Sequence, residues 1–98
     1  MKHGKIDINQ KRIVSELRRQ GFGVFSIADL KNCCDLIVTD GDKIILVEIK
    51  NPDYCNKIAF MDQDQRFKFL TKGEKIFSES FKVFIAISAE EIIDQFKN

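Results

Sequence analysis

No segment of the 98-residue sequence is a long apolar run, and the chain has a single proline and almost no net charge. Because a membrane-spanning helix needs about 18 or more uninterrupted apolar residues, we expect no membrane span. A formal net charge of +1 argues against a protein that coats nucleic acid by bulk attraction. Charges that nearly cancel on a 44% hydrophobic chain also exclude a disordered tail. The polar opening residues lack the apolar stretch of a secretory signal, which predicts a cytosolic protein.

Cysteine is scarce: the chain has three, and no two of them stand in C-x-x-C spacing. Adjacent Cys33 and Cys34 would point to opposite sides of an extended chain, and Cys55 lies far from both in the sequence. Three thiols in this arrangement are too few for a four-ligand zinc site or an iron–sulfur cluster. We therefore interpret them as buried or idle thiols.

The chain has no repeat, linker or low-complexity tract, so we interpret residues 1–98 as a single domain. Helical spacing of apolar residues predicts a first helix over Asn9–Gln20 that ends at Gly21. Asp62, with Gln65 three residues on, predicts the start of a second helical stretch that runs through Phe67 and Leu70 and either ends there or continues beyond Gly73. The β-forming runs predict strands at residues 22–27, 35–39, 43–50 and 81–87, and a Ser88-capped helix follows at 89–96. The expected order is αβββαβ with a C-terminal helix.

The second and third strands form a predicted hairpin, because Asp40-Gly41-Asp42 separates two apolar runs. If Asp40 and Gly41 form the two-residue loop, Asp35 lies diagonal to Glu48. If Gly41 and Asp42 form it, Asp35 lies directly opposite Glu48. Either register brings the two acids to one face of the sheet.

Lys50 shares that face with Glu48, because side chains alternate along a strand. Two carboxylates that face each other across a ladder are destabilising unless a cation lies between them. Carboxylate oxygens without imidazole or thiolate favour Mg²⁺ or Mn²⁺, which polarise a phosphoryl oxygen and activate water. The ammonium of Lys50 would stabilise the charge that develops on phosphorus. The group predicts a phosphodiester-cleaving site, although a Glu-x-Lys pair is also common on a solvated sheet face.

Asp35 and Glu48-Ile49-Lys50, in the αβββαβ order, resemble the PD-(D/E)XK nuclease superfamily and its single-domain VRR-NUC and Holliday-junction-resolvase-like members. The segment Ser88-Ala89-Glu90-Glu91 is similar to the family's Ser-Val-Glu-Glu before a closing helix. The resemblance implies an α/β fold with a restriction-endonuclease-like core and a mixed central sheet. It implies that Asp35, Glu48 and the carbonyl of Ile49 hold the metal, while Lys50 assists the attacking water or the transition state.

Other positions of the family pattern are matched less closely. Met61-Asp-Gln-Asp-Gln65 is similar to the Leu-Thr-x-x-Gln of VRR-NUC members, which would place Gln65 in the site; a capping box is the alternative role. The family's proline before the aspartate is Cys34 here. The glutamate that the family's first helix supplies falls at Gln10, a weaker cation ligand. Glu16, the only acid of that helix, lies off the Gln10 face and is an uncertain site residue.

Basic residues concentrate near the start of the chain, where residues 1–20 carry six Lys or Arg against two acids. This asymmetry is compatible with a phosphate backbone docking on one face, or with ordinary solvated surface. Phe22 and Phe25 lie among basic residues and would either stack on bases or pack in the core. The predicted nucleic-acid contacts are Lys11, Arg12, Arg18, Arg19, Tyr54, Lys57 and Arg66.

These features predict a Mg²⁺- or Mn²⁺-dependent, structure-selective DNA endonuclease, with junction or flap-like DNA as the substrate that the resemblance favours. Because symmetric cleavage of two strands needs two sites about a twofold axis, we expect a homodimer. A phage or mobile-element origin is compatible with the stand-alone format. The main alternative is a nuclease-fold nucleic-acid-binding module with weak or no catalysis, and a further one is a small protein-interaction domain.

Overall fold

The computed structural model describes residues 8–51 and 57–97. The predicted order of strands and helices is confirmed except that the second helical stretch is divided into two helices, and the bounds of the other elements differ from the expected ones by a few residues. None of the helices in the described ranges is both long and apolar enough to cross a bilayer. The elements are α1 (Ile8–Arg19), β1 (Gly23–Ser26), β2 (Leu36–Thr39), β3 (Ile44–Ile49), α2 (Gln63–Arg66), α3 (Lys72–Ser80), β4 (Val83–Ala86) and α4 (Ala89–Asp94), with 3-10 turns at Ile58–Phe60 and Phe67–Phe69.

The four strands form one mixed sheet in the spatial order β1-β2-β3-β4. The first three strands are antiparallel neighbours, and β4 pairs parallel to β3. A parallel pair needs a crossover connection, which here contains α2 and α3. The predicted α/β class with a mixed sheet is therefore confirmed.

The main hydrophobic core lies on one face of this sheet. Leu36 and Val38 of β2 and Val47 of β3 are completely buried there, because alternate residues of each strand point to the same side. The helices α1 and α4 cover this face, and each contributes its apolar stripe to the same cluster. The described core residues are Ile13, Leu17, Leu36, Val38, Val47, Ile49, Ala86, Ala89 and Ile92.

The opposite face of the sheet has a row of apolar cross-strand neighbours, and Glu48 lies in the adjacent row. Phe25, Ile37, Leu46 and Val83 are cross-strand neighbours in the apolar row. Phe25 remains 68% exposed, whereas Ile37, Leu46 and Val83 are half-buried. Glu48 lies two residues along β3 from Leu46, beside Ile85 of β4. The site described below therefore lies on the face that α1 and α4 leave open.

The two phenylalanines for which the sequence allowed either base stacking or core packing, Phe22 and Phe25, lie in different environments. Phe22 packs against the core and against Phe96, with ring centroids 5.1 Å apart. Phe25 points to the other face and is mostly exposed. The core interpretation therefore holds for Phe22 and not for Phe25.

The second helical stretch is interrupted, in contrast to the single run predicted from Asp62. α2 begins at the expected cap, but the backbone becomes extended at Leu70 and a new helix starts after Thr71. The side chain of Thr71 accepts a hydrogen bond from the Glu74 N–H, and the Glu74 carboxylate accepts one from the Thr71 N–H. This second capping box, together with the burial of Leu70, favours two short helices over one.

Candidate metal centre

The hairpin loop decides which of the two registers the strands adopt. Asp40 Oδ1 accepts hydrogen bonds from the N–H groups of Asp42 (2.9 Å) and Lys43 (2.8 Å). Gly41 has a φ of 105°, a region that favours glycine. The loop is therefore Gly41-Asp42, and the ladder beyond it runs from Thr39 to Leu36 on β2.

The ladder of this register ends where Leu36 pairs with Val47, so Asp35 and Glu48 are the next residues on the two strands, and their carboxyl groups are close enough to interact. The Asp35 N–H donates to the carbonyl of Val47 at 2.9 Å, and its carbonyl accepts from the Ile27 N–H at 2.8 Å. The carboxylate Oδ2 accepts a hydrogen bond of 2.7 Å from the Ile49 N–H. Asp35 is therefore fixed to both neighbouring strands.

Glu48 is only 5% exposed, and its Oε1 atom has no hydrogen-bond partner among the described residues. Its Oε2 atom lies 3.5 Å from the ammonium of Lys50. Burial raises the pKa of Glu48 to about 8, and the nearby carboxylates of Asp35 and Glu74 add to this effect, which Lys50 partly opposes. A buried acid next to another acid, with an unsatisfied oxygen, is costly without a compensating cation.

A hard divalent cation fits this donor set. Magnesium commonly binds one or two protein carboxylates and keeps several of its waters. The described part of the chain contains no group of three His, Cys, Asp or Glu side chains suited to a metal, so the side chains of a centre here would supply two carboxylates, Asp35 and Glu48, and water would fill the other positions. Bound there, the cation would balance the charge of Glu48 and satisfy Oε1. The carbonyl of Ile49 as a further ligand stays a prediction.

Glu74 is a residue that the sequence analysis missed. It lies in the first turn of α3, and its charge acts on Glu48 strongly enough to raise the pKa of that residue. The signal was present, because Leu70-Thr71 followed by Glu74 has the Leu-Thr-x-x spacing with glutamate in place of glutamine. We had assigned that motif to Gln65.

Gln65 is exposed and takes part in the N-terminal cap of α2. Its Oε1 accepts a hydrogen bond from the Asp62 N–H, and its own N–H donates to Asp62 Oδ1, both at 2.9 Å. This is the capping-box role that the sequence left as the alternative. Because both of these hydrogen bonds are made with the N-cap of α2, we leave Gln65 out of the proposed centre.

The start of α1 lies against the end of β3. Asn9 Nδ2 donates to the carbonyl of Lys50 at 3.1 Å. Gln10 is 6% exposed, and its Nε2 donates to Ser26 Oγ at 3.4 Å. Glu16 instead bonds to Arg19 and Gln20 of its own helix, which lowers its pKa. Gln10 is therefore one residue from a contact with Lys50 but itself bonds to β1, and we place Glu16 outside the candidate centre.

Arg66 requires a correction, because it was predicted to contact nucleic acid and is buried. Its guanidinium donates to both carboxylate oxygens of Glu91, at 2.8 and 2.9 Å, and to the carbonyls of Ile58 and Ile85. With 3% exposure it holds the crossover against β4 and α4. Arg66 is buried because it lies on the inner side of α2, and its positive charge alone gave no sign of that position.

The other predicted nucleic-acid contacts are exposed where the structure describes them. Arg18 Nη2 donates to the carbonyl of Val24 at 2.9 Å, which holds this side chain along the edge of β1. Tyr54 lies outside the described residues. The predicted contacts that the structure shows to be exposed are Lys11, Arg12, Arg18, Arg19 and Lys57.

The two cysteines within the described ranges are free thiols. Cys34, at the position of the family's proline, is buried, and burial raises its pKa to about 12. An inert thiol at Cys34 agrees with the interpretation from sequence, whereas Cys55 lies outside the described residues.

Comparison of the chain with protein-family models, with curated proteins and with solved structures finds no match. The functional conclusions therefore depend on the chemistry and geometry of this chain's own residues.

Proposed function

We propose that this protein is a Mg²⁺- or Mn²⁺-dependent endonuclease that hydrolyses phosphodiester bonds in DNA. The observation that carries the proposal is the buried Glu48 carboxylate, which faces Asp35 and leaves Oε1 without a partner among the described residues. A structural surface pair would be solvated or fully hydrogen-bonded. A cation held between the two carboxylates would explain both the burial of Glu48 and its unpartnered oxygen.

The residues around the centre have distinct roles in this proposal. Asp35 and Glu48 hold the cation, which supplies a Lewis acid for the phosphoryl oxygen and an activated water. The Ile49 N–H fixes the orientation of Asp35 through its 2.7 Å hydrogen bond. Lys50, half-buried and 3.5 Å from Glu48, places a positive charge where negative charge develops on the phosphate. Water adds to phosphorus as the leaving oxygen departs, which yields a phosphate monoester and a hydroxyl.

The acidic pair on a hairpin, the following lysine and the parallel fourth strand also support membership of the PD-(D/E)XK superfamily. We propose that membership, within the group of single-domain VRR-NUC and Holliday-junction-resolvase-like proteins. Lys11 and Arg18, two exposed cations of α1, would bind the phosphate backbone without base contacts. This favours a structure-selective enzyme that acts on junction or flap-like DNA.

Cleavage of labelled junction, flap and duplex DNA tests the proposal. The wild type should cut with Mg²⁺ or Mn²⁺ and not with EDTA, and Asp35→Asn and Glu48→Gln should each lose cleavage by about a hundredfold or more. Glu90→Gln, which removes an exposed acid from the first turn of α4, is the matched control and should cut normally. Equal cleavage by wild type and Glu48→Gln would refute the proposed centre.

The binding-module alternative is kept because of Gln10. A neutral amide stands where the resemblance would place a glutamate, and its Nε2 is engaged with Ser26. Removing one negative ligand weakens the hold on a divalent cation. Salt-sensitive DNA binding by a wild type that never cuts in Mn²⁺ would favour this alternative.

A homodimer also stays a proposal, and the apolar row of Phe25, Ile37, Leu46 and Val83 supports it. Together with Ile44, 68% exposed, this row leaves an apolar surface beside the candidate centre. Contiguous exposed patches of this kind often mark interfaces. Sedimentation should show a dimer for the wild type and a monomer for Ile44→Lys, and a monomeric wild type would refute the proposal.

A further inference from the structure

A cleft between α1 and β1 lies outside the carboxylate centre. Among the residues that the structure describes, its lining contains two cations, two hydroxyls, one amide and one apolar side chain, and no acid. The lining residues are Gln10, Lys11, Val14, Ser15, Arg18 and Ser26. Positive and neutral donors without a carboxylate are the chemistry that binds a phosphate.

The cations of the cleft lie on one stripe of α1. Lys11, Ser15 and Arg18 follow one another at spacings of four and three residues, so their side chains share a face of the helix. Arg18 is held in place, because its Nη2 donates to the carbonyl of Val24 on the edge strand. A guanidinium carries five N–H donors, and this bond uses one of them. The side chain is therefore oriented before any ligand binds.

Gln10 forms the floor of the cleft together with Ser26. The amide is almost fully buried and donates its Nε2 hydrogen to Ser26 Oγ. A hydroxyl that accepts this bond still has its own proton to donate. Ser26 is exposed, so that proton can reach a ligand oxygen in the cleft. The buried amide thus orients a neutral donor beside the two cations.

Two hydrogen bonds connect this cleft to the strands that carry the candidate centre. Asn9, next to Gln10, donates to the carbonyl of Lys50. Ile27, next to Ser26, donates from its N–H to the carbonyl of Asp35. Gln10 on the helix and Ser26 on the strand are therefore each next in sequence to a residue that is hydrogen-bonded to the backbone of Lys50 or Asp35.

We propose that this cleft is a phosphate subsite that binds a backbone phosphate of the nucleic-acid substrate other than the one that is cut. The inference rests on the proposed function, since it assigns part of the same substrate. It assigns Gln10 a role in positioning Ser26, which explains an amide at this buried position. It also divides the basic residues of α1 into those that bind in the cleft, Lys11 and Arg18, and those that do not, Arg12 and Arg19.

The test compares two double variants that remove equal charge from the same helix. Lys11→Gln/Arg18→Gln removes the cations of the cleft, and Arg12→Gln/Arg19→Gln removes two exposed cations outside it. Binding of a fluorescein-labelled single-stranded oligonucleotide is measured by anisotropy in EDTA over a range of salt concentrations. The first variant should bind about tenfold more weakly or worse and lose about 0.7 from the slope of log K against log salt, as expected for one phosphate on a single strand.

The control double variant should stay within about threefold of the wild type. Equal losses in the two variants would overturn the subsite, because they would indicate diffuse attraction to the whole helix. Thermal melts check that each variant folds. Ser26→Ala, which changes no charge, should weaken binding severalfold without changing the salt slope; wild-type affinity in this variant would also count against the subsite.

A cleavage assay with Mn²⁺ separates this inference from the proposed function. If binding depends on Lys11 and Arg18 but the wild type does not cut, the subsite stands and the nuclease assignment fails. If the wild type cuts and Lys11→Gln/Arg18→Gln has unchanged binding and unchanged KM, the nuclease assignment stands and the subsite fails.

Discussion

The carboxylate of Asp35 accepts a hydrogen bond from the backbone N–H of Ile49, with 2.7 Å between Oδ2 and N. This bond ties the residue before β2 to the end of β3 and holds Asp35 opposite Glu48. The two acids therefore differ in their environments: Asp35 is oriented by the backbone, whereas Glu48 Oε1 lacks a partner among the described residues. A cation between them would remove the difference, since it would satisfy the second carboxylate and neutralise the repulsion.

Glu48→Gln should make the metal-free protein more stable. Because the pKa of Glu48 is raised to about 8, folding at neutral pH must either protonate a carboxylate that is ionised in the unfolded chain or bury its charge beside Asp35. Glutamine keeps the shape of the side chain and avoids both costs, so we expect about 1 kcal/mol of added stability, or a rise in Tm of about 4–8 °C. Excess Mn²⁺ should raise the Tm of the wild type and leave that of the variant unchanged.

Differential scanning fluorimetry with and without Mn²⁺ measures both effects, and Glu90→Gln should show neither change relative to the wild type. A metal-free Glu48→Gln protein that melts below the wild type would contradict the view that this carboxylate is strained without a cation.

Lys50→Met should separate metal binding from catalysis. The side chain stays long and apolar, but the ammonium 3.5 Å from Glu48 is lost. We expect Mn²⁺ still to raise the Tm, because the carboxylates remain, while single-turnover cleavage falls about a hundredfold to a thousandfold. Cleavage at the wild-type rate would show that Lys50 only balances the charge of Glu48.

Gly73→Ala tests how closely α3 approaches the loop before β2. A Cβ at Gly73 would collide with the side chain of Asn32, which itself has a φ of 59°. Although alanine is the better helix former by about 1 kcal/mol, we expect Gly73→Ala to destabilise the protein by about 1–3 kcal/mol. Asn32→Gly removes the clashing side chain and relieves the positive φ. In that background Gly73→Ala should be stabilising in urea denaturation; a loss of stability in both backgrounds would refute the clash.

The Arg66–Glu91 pair should make stability depend on acid pH. Burial would raise the pKa of Glu91, but hydrogen bonds from Arg66 and from the Ile87 N–H outweigh it and hold that pKa below its usual value. A group with a lowered folded pKa stabilises the native state above its unfolded pKa of about 4.3 and loses that contribution as the pH falls. Glu91→Gln should therefore cost about 1–3 kcal/mol at pH 7 and progressively less below about pH 4. Urea denaturation across this range measures the difference, and a constant gap would contradict the assignment.

Much of the fold followed from local signals in the sequence. Gly21 and Gly41 both have positive φ values, and each marks an end or a turn that had been expected. The Asp40-Gly41-Asp42 segment predicted the hairpin but left two registers open. The choice between them comes from hydrogen bonds of Asp40 to the loop backbone, which composition alone does not fix.

The contacts that were missed are long-range ones. The Gln63 side chain pairs with both backbone groups of Ile85, and Arg66 reaches Glu91, so the crossover is attached to β4 by polar side chains that sequence spacing does not bring together. Glu74 was missed for a related reason: the caps at Asp62 and Thr71 use the same local pattern, and only the tertiary fold brings one of them close to Glu48.

Anomalous diffraction from a crystal soaked in Mn²⁺ tests the central claim most directly. The account predicts a manganese peak about 2.0–2.3 Å from one oxygen each of Asp35 and Glu48, and its loss in Glu48→Gln crystals soaked in the same way. Carboxylates that point away from each other, with no manganese between them at a concentration that raises the wild-type Tm, would contradict it.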